Sequence, residues 1–566
     1  MTTDLAIAQT PQQNILAPRA VQLIFNQNLN IYDWLYGLNF QKSFGNGIDF
    51  KIREEFRSTL QRTSTDDLWK DNQSLVVNLS YPLANVSKVN ARMFSHILSD
   101  PLARFDNDVS FYAGSLGVSF QPRSNFYVST NVSSKWQSQL ARSDQGFGYD
   151  LTAQLSDAVL DDYQNDFFFT GGQDFFPLRR NEDLKIRYEI KRQFYHATAD
   201  TLTVFFDRLR RDNFDIAGGN YFVRKLTQTT RGVKNHLSYR IAAGATLFFT
   251  NYLASNTFRV DNIIDGDSAE VSKDDAGFES RHSAHFFWQR ENWFNSLGWN
   301  FNLRTRDDRR VSSEPPDPFG RHPSLGFDTD ETFVRLEWSS GLRVASRDSL
   351  GWFAAVSKFK YDTSDTLAPN NHDQLRWQMT LSHQHRFSWG LKLLWRGSVF
   401  LNHLVYISGR FSSGNNWERV VQLTPTILYE PSSVFKLQQN FTVRAKYQTY
   451  DFDDPITSTR NIANRQFITS SACTLTPTDR TKVEFSASLE LAEQGKFFYN
   501  NWRQQLALSW LSQDLLLLIK RQLASALQLS IGGSLFHQAR WNHRFSSQGS
   551  LTKTLRDKHT NVGPIL

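Results

Sequence analysis

Cysteine is almost absent from this 566-residue chain: Cys473 stands alone. A single thiol excludes an intramolecular disulfide framework and a cysteine-rich zinc site. Long apolar runs are also missing. A membrane-spanning helix needs about 20 consecutive apolar residues. The best run here, Leu515-Leu516-Leu517-Leu518-Ile519, is bounded by Asp514 and Lys520. Helical periodicity is scarce, and only residues 149–163 and 515–527 suggest a 3.6-residue repeat. There is no nucleophile motif such as Gly-x-Ser-x-Gly and no glycine-rich phosphate loop. The chain therefore reads as a non-enzyme, with no cofactor and no nucleic-acid partner implied.

Aromatic residues are plentiful, with 46 Phe, 18 Tyr and 15 Trp. Disordered chains are poor in these residues. The dominant pattern is alternation with period two, the mark of strands with one apolar and one polar face. Over 435–447, Phe435, Leu437, Phe441, Val443, Ala445 and Tyr447 alternate with Lys436, Gln438, Asn440, Thr442, Arg444 and Lys446. The same alternation runs through 482–491, 184–191, 297–304 and 334–344.

The connections carry a second pattern. Pro122, Pro431 and Pro477 each follow a strand and precede a short polar turn. Proline pre-sets φ for a turn and cannot donate to a ladder. Longer polar stretches alternate with these turns, at 261–277, 306–330, 362–373, 411–417 and 450–464. A soluble sandwich also alternates, but its strands usually have about five or six residues. Here they run to roughly ten or more, enough to cross a bilayer when tilted. Aromatics recur near strand ends, as interfaces favour, and strand edges in lipid require closure. The mean hydropathy of −0.47 excludes a helical membrane protein and not a barrel, whose strands keep one polar face.

These features resemble bacterial outer-membrane β-barrels, over about residues 20–555. The expected fold is all-β: a closed antiparallel transmembrane barrel with short periplasmic turns and longer outer loops. One hairpin unit, from Pro431 to Pro477, takes roughly 46 residues, which gives about 20–24 strands. That size resembles the barrel part of TonB-dependent receptors, although too few residues precede the first strand for a plug domain. Residues 1–19 are expected to be a tail. Its Ala6-Ile7-Ala8-Gln9 matches the end of a signal peptide, or matches it by chance. Residues 20–566 are expected to form the barrel, with a long irregular insertion near 141–182. The final residues, Asn561 to Leu566, lack the terminal aromatic usual in such barrels. The resemblance implies outer-membrane lipid, lipopolysaccharide and the barrel-assembly machinery as partners. It also implies a porin-like or uptake function in a Gram-negative bacterium, for an unidentified solute.

The polar faces offer candidate lumen-lining cations: Lys185, Arg187, Lys191, Arg304, Arg335, Arg343, Lys436, Arg444 and Lys446, with Lys482 beside them. Basic rings favour anions in a pore. The plainer reading is a solvated interior whose charges pair across strands. Two Asp clusters, 157–166 and 261–275, lack Ca²⁺-loop spacing and read as solvated loops. His383 and His385 share a strand face and could be half a metal site. That face is apolar, so an interfacial position is the plainer expectation. Cys473 reads as a small packing residue. A barrel whose outer loops bind a partner is the alternative function, and an outer-membrane enzyme the third.

Overall fold

A computed structural model describes residues 20–565, apart from 29–30, 46, 63–66, 101–107, 140–141, 195–197, 218–219, 265–267, 309–327, 365–369, 454–459, 525–526 and 546–550. The expected tail, residues 1–19, lies outside the described residues. The described chain is 26 strands, with short 3-10 segments at Gly409–Gly414 and Tyr499–Asn501. Every strand pairs antiparallel with the next in sequence, from β1 (Ala20–Asn28) to β26 (Leu551–Ile565). β1 and β26 lie side by side, although no ladder joins them among the described residues. The barrel is therefore nearly closed. At about 4.8 Å between strands and the usual tilt, its backbone diameter is roughly 50 Å.

The strand count exceeds the expected 20–24 for a simple reason. The Pro431–Pro477 unit includes the long connection 451–461, so it is longer than most hairpins. The expected insertion near 141–182 also takes a different form. Most of it is β8 (Arg142–Leu160) and β9 (Tyr163–Phe175), joined by the two-residue turn 161–162. A register shift between Leu155 and Ala158 breaks the alternation, which hides the strand and imitates a helical period. Residues 515–527 are strand as well, divided between β24 (Arg503–Ala524) and β25 (Leu527–Phe545). Leu516 and Leu518 occupy the otherwise polar face there, opposite Ser534 and Gly532, so alternation fades.

The two ends of the barrel differ. At one end the connections are tight, as at 85–86, 124–125, 161–162, 243–244, 291–292, 346–347, 433–434 and 479–480. At the other lie 100–108, 309–328, 364–371, 407–415 and 451–461. Of the expected long loops, only 261–277 fails. It is mostly strand, because Asp261 and Asp275 are neutralised by Arg259, Lys225, Arg306 and Lys273.

Proline has a definite place at the tight-turn end. Pro122, Pro431 and Pro477 each fall inside a register shift, Phe120/Arg123, Tyr429/Ser432 and Leu475/Thr478. A bulge residue needs no ladder donor, so the missing N–H costs nothing there. The preceding residue donates instead to the neighbouring turn. Gln121 N–H reaches Val86 O at 2.7 Å, Glu430 reaches Gly390 O at 2.9 Å and Thr476 reaches Val434 O at 2.8 Å. Gln289 to Gly244, Arg343 to Asn292 and Arg386 to Arg347 repeat the link without proline. Adjacent turns are thus tied along the rim.

One face of the sheet is apolar and exposed. On β16 (Thr329–Ala345), Leu336, Trp338 and Leu342 stand opposite Val356, Ala354 and Leu350 of β17 (Asp348–Thr363). Those in turn oppose Trp377, Met379 and His383 of β18 (His372–Arg386). Leu336, Met379 and Leu381 are 50%, 53% and 59% exposed, so no described residue covers them. Among the described residues the large side chains that are fully buried are only Phe497 and Val260. The described residues form no conventional core.

Four consecutive strands each run to 20 residues or more: β11 (Thr198–Ala217), β12 (Asn220–Ala242), β13 (Ala245–Ile264) and β14 (Ser268–Arg290). On β12, Val233, Leu237 and Tyr239 occupy the apolar face nearest the tight turn. Lys225, Thr227, Thr229 and Arg231 continue that face toward the other end. On β11, Leu202, Val204 and Phe206 give way to Arg208, Arg210 and Asp212. These strands extend as a palisade beyond the apolar zone.

Candidate functional site

The polar face holds every candidate basic residue, and the structure pairs most of them. On β10 (Arg180–Phe194), Lys185 lies 3.6 Å from Asp183 and Arg187 2.5 Å from Glu189. Lys191 contacts both Asp166 at 2.6 Å and Glu189 at 3.0 Å. Arg335 meets Glu337 at 2.8 Å, Lys436 meets Glu430 at 2.5 Å and Lys446 meets Glu418 at 2.9 Å. Lys482 shares Glu484 with Lys520, at 2.6 and 2.8 Å. Several partners are two residues apart on one strand, the spacing that returns a side chain to the same face.

Arg304, Arg343 and Arg444 differ. None has a carboxylate within ion-pair distance among the described residues, and Arg444 Nε is buried without an acceptor. Arg343, on β16, borders a wider cationic stretch. From β17 to β19 (Leu391–Tyr406), the polar face carries Arg376, Arg386, Lys392 and Arg396 and no acidic residue. Arg386 stands directly opposite Lys392. Like charges in that position repel, so this sector attracts anions more than any paired region does.

His383 and His385 acquire a partner that sequence alone did not reveal. Both rings reach Asp348 Oδ1, from His383 Nε2 at 3.2 Å and His385 Nδ1 at 2.7 Å. The group sits on the apolar face at the tight-turn end, beside Phe387. Among the described residues no cluster of three or more His, Cys, Asp or Glu side chains is arranged to hold a metal. The first Asp cluster belongs to the β8–β9 turn and its bulge. Asp157 and Asp161 have φ of 54° and 52°, a region Asp tolerates better than most residues. Asp157 N–H donates to Asp166 Oδ1 at 2.7 Å. In the second cluster, Asp265 and Asp267 lie outside the described residues. Cys473 is half-buried in β22 (Ile462–Thr478), between Leu437 and Phe485.

The long-loop end has clamps that sequence reasoning missed. Asn371, Asn415 and Asn461 each stand just before a returning strand. Asn371 Oδ1 accepts from Thr363 N–H at 2.9 Å, Asn415 Oδ1 from Tyr406 N–H at 2.8 Å and Asn461 Oδ1 from Tyr450 N–H at 2.8 Å. Their carbonyls accept from the next loop, through Ile407, Asp451 and Phe497 N–H. Each residue closes its own loop and ties the neighbour. The signal was an Asn at the end of a polar stretch, but nothing in the sequence fixes its partner. Arg179 was missed for the same reason. Its side chain is 1% exposed, its Nε donates to Asp144 at 2.8 Å and its guanidinium lies 4.4 Å from the Phe214 ring.

No family model matches the chain, and no curated protein does. Among solved structures, it is similar to the copper transporter OprC at 11% identity and a TM-score of 0.43, covering 92% of this chain and 75% of that one. It is similar to the siderophore receptor PirA from Pseudomonas aeruginosa at 10% identity and 0.40, covering 94% and 86%. The ferric preacinetobactin receptor BauA from Acinetobacter baumannii gives 8% identity and 0.40, covering 97% and 80%. Likeness at this level concerns architecture and carries nothing about cargo.

Proposed function

We propose that the protein is an integral outer-membrane barrel of a Gram-negative bacterium, with its apolar face toward lipid and its polar face lining a lumen for solute passage. The observation that carries this reading is the exposed apolar face, continuous from β16 through β18. Soluble monomers rarely leave an apolar surface that large uncovered. Ladder pairing along all 26 strands supports it, because backbone groups in lipid need internal partners. The tight-turn end is the periplasmic one and the long-loop end faces lipopolysaccharide. Delivery to that membrane falls to the barrel-assembly machinery.

The lumen favours anions. From β17 to β19 its wall carries Arg376, Arg386, Lys392 and Arg396 with no acidic residue on the same face. Cell fractionation should recover the chain in the outer membrane, migrating faster on gels before heating than after. In planar bilayers under a salt gradient, the reversal potential should show anion preference. A soluble cytosolic protein would end the membrane reading, and cation selectivity would end the anion reading. The β11–β14 palisade favours a second role, as a surface on which a partner binds outside the membrane.

A further inference from the structure

The polar face is not uniform, and one sector is unlike the anion-favouring wall. Between β3 (Asp49–Arg62) and β8, two rows of directly opposed residues cross the sheet. In the first, Asp49, Ser80, Asn90, Gly117, Asn131 and Asp150 each face the next. In the second, Lys51 faces Asn78, Asn78 faces Arg92 and Arg92 faces Ser115. Asp49, Lys51 and Asp150 sit on the outer strands and Arg92 within the sector, two charges of each sign, and amides and hydroxyls fill most of the remaining positions. A cavity of about 500 Å³ opens over these rows, with Tyr127 and Ser129 also on its wall.

The polar groups are oriented in advance. Ser80 Oγ donates to Asn90 Oδ1 at 2.9 Å, Asn90 Nδ2 to Ser119 Oγ at 3.0 Å and Asn131 Nδ2 to Asp150 Oδ1 at 2.8 Å. Each amide has two N–H donors and two acceptor positions, so hydrogen-bonding capacity remains for a ligand. Gly117 makes the arrangement possible. A Cβ there would lie 1.9 Å from Asn131 Oδ1 and 2.4 Å from Thr130 O.

We infer that this sector is a subsite for a polyhydroxylated solute, an oligosaccharide. A ligand made of hydroxyls both donates and accepts, which matches a wall of mixed amides and hydroxyls. Asp49 and Asp150 accept from hydroxyls, Lys51 and Arg92 donate to them, and the Tyr127 ring provides a flat surface with a polar tip. Asp49, with Lys88 at 3.9 Å, and Asp150 offset most of the positive charge here, unlike the acid-free β17–β19 wall. Six strands span roughly 24 Å at about 4.8 Å each, the reach of an extended chain and not of a single ring. This deepens the lumenal reading and rests on it for passage, but binding itself does not.

The test is calorimetric titration of the purified full chain in detergent with maltohexaose, and with polyethylene glycol of similar size as the control. Saturable binding of maltohexaose alone is expected, weakened about fivefold in Asn90→Ala and again in Asn131→Ala, and unchanged in Val132→Ala on the opposite face. Heat-modifiable migration verifies that each variant folds. No saturable binding, equal response to both probes, or full binding in both folded Asn variants overturns the subsite. Bilayer conductance separates the two readings. A barrel that binds maltohexaose but does not conduct keeps the subsite and loses passage, and one that conducts without binding does the reverse.

Discussion

At the scale of single residues, geometry at the two rims is more demanding than chemistry on the wall. Gly390 has φ of +84°, its carbonyl accepts from Glu430 N–H, and a Cβ there would lie 2.3 Å from Glu430 O. Gly390→Ala combines a disfavoured backbone region with a clash. It should lower stability by about 1–3 kcal/mol, read from the urea midpoint of refolding into detergent. At the opposite rim, Asn415→Ala removes the acceptor of Tyr406 N–H. A buried donor left unpaired costs about 1–3 kcal/mol. Faster hydrogen exchange at Tyr406, with Asp451 and β17 little affected, is the expected result. Neither residue stood out in the sequence. A glycine in a turn is commonplace, and the partner of Asn415 depends on where the chain returns.

At the scale of the strand, the alternation made the fold legible while the candidate site stayed hidden. Residues 435–447 declare their two faces directly. The same rule predicts opposite outcomes for neighbours on β18. Leu381→Arg puts a charge on the apolar face and should cost about 2–4 kcal/mol in a bilayer if it lies near the midplane. Thr380→Arg, one residue away on the polar face, should be nearly neutral. Equal destabilisation of both in lipid refolding titrations would contradict the face assignment. Alternation failed where a strand stopped obeying it: the bulge after Leu155 in β8, and Leu516 and Leu518 in β24. The saccharide rows could not be read at all. Ser80, Asn90 and Asn131 are ordinary in their own strands, and only register across six strands assembles them.

At the scale of the whole molecule, the asymmetry between the ends sets a topology that can be probed on intact cells. A protease site inserted in 365–369 should be cut from outside, and one at 433–434 should be cut only after the outer membrane is opened. The reverse result would invert the barrel. The strand number has one more consequence, and it is a matter of parity. An even count returns the chain to the side it left, so β1 begins and β26 ends at the tight-turn end. During insertion, the polar segments that must be carried across lipid are the hairpin loops, each tethered at both ends to strands crossing with it. Neither the start of β1 nor the end of β26 adds to that translocation load, so the first and last strands can remain anchored on the near side while the wall between them is laid down.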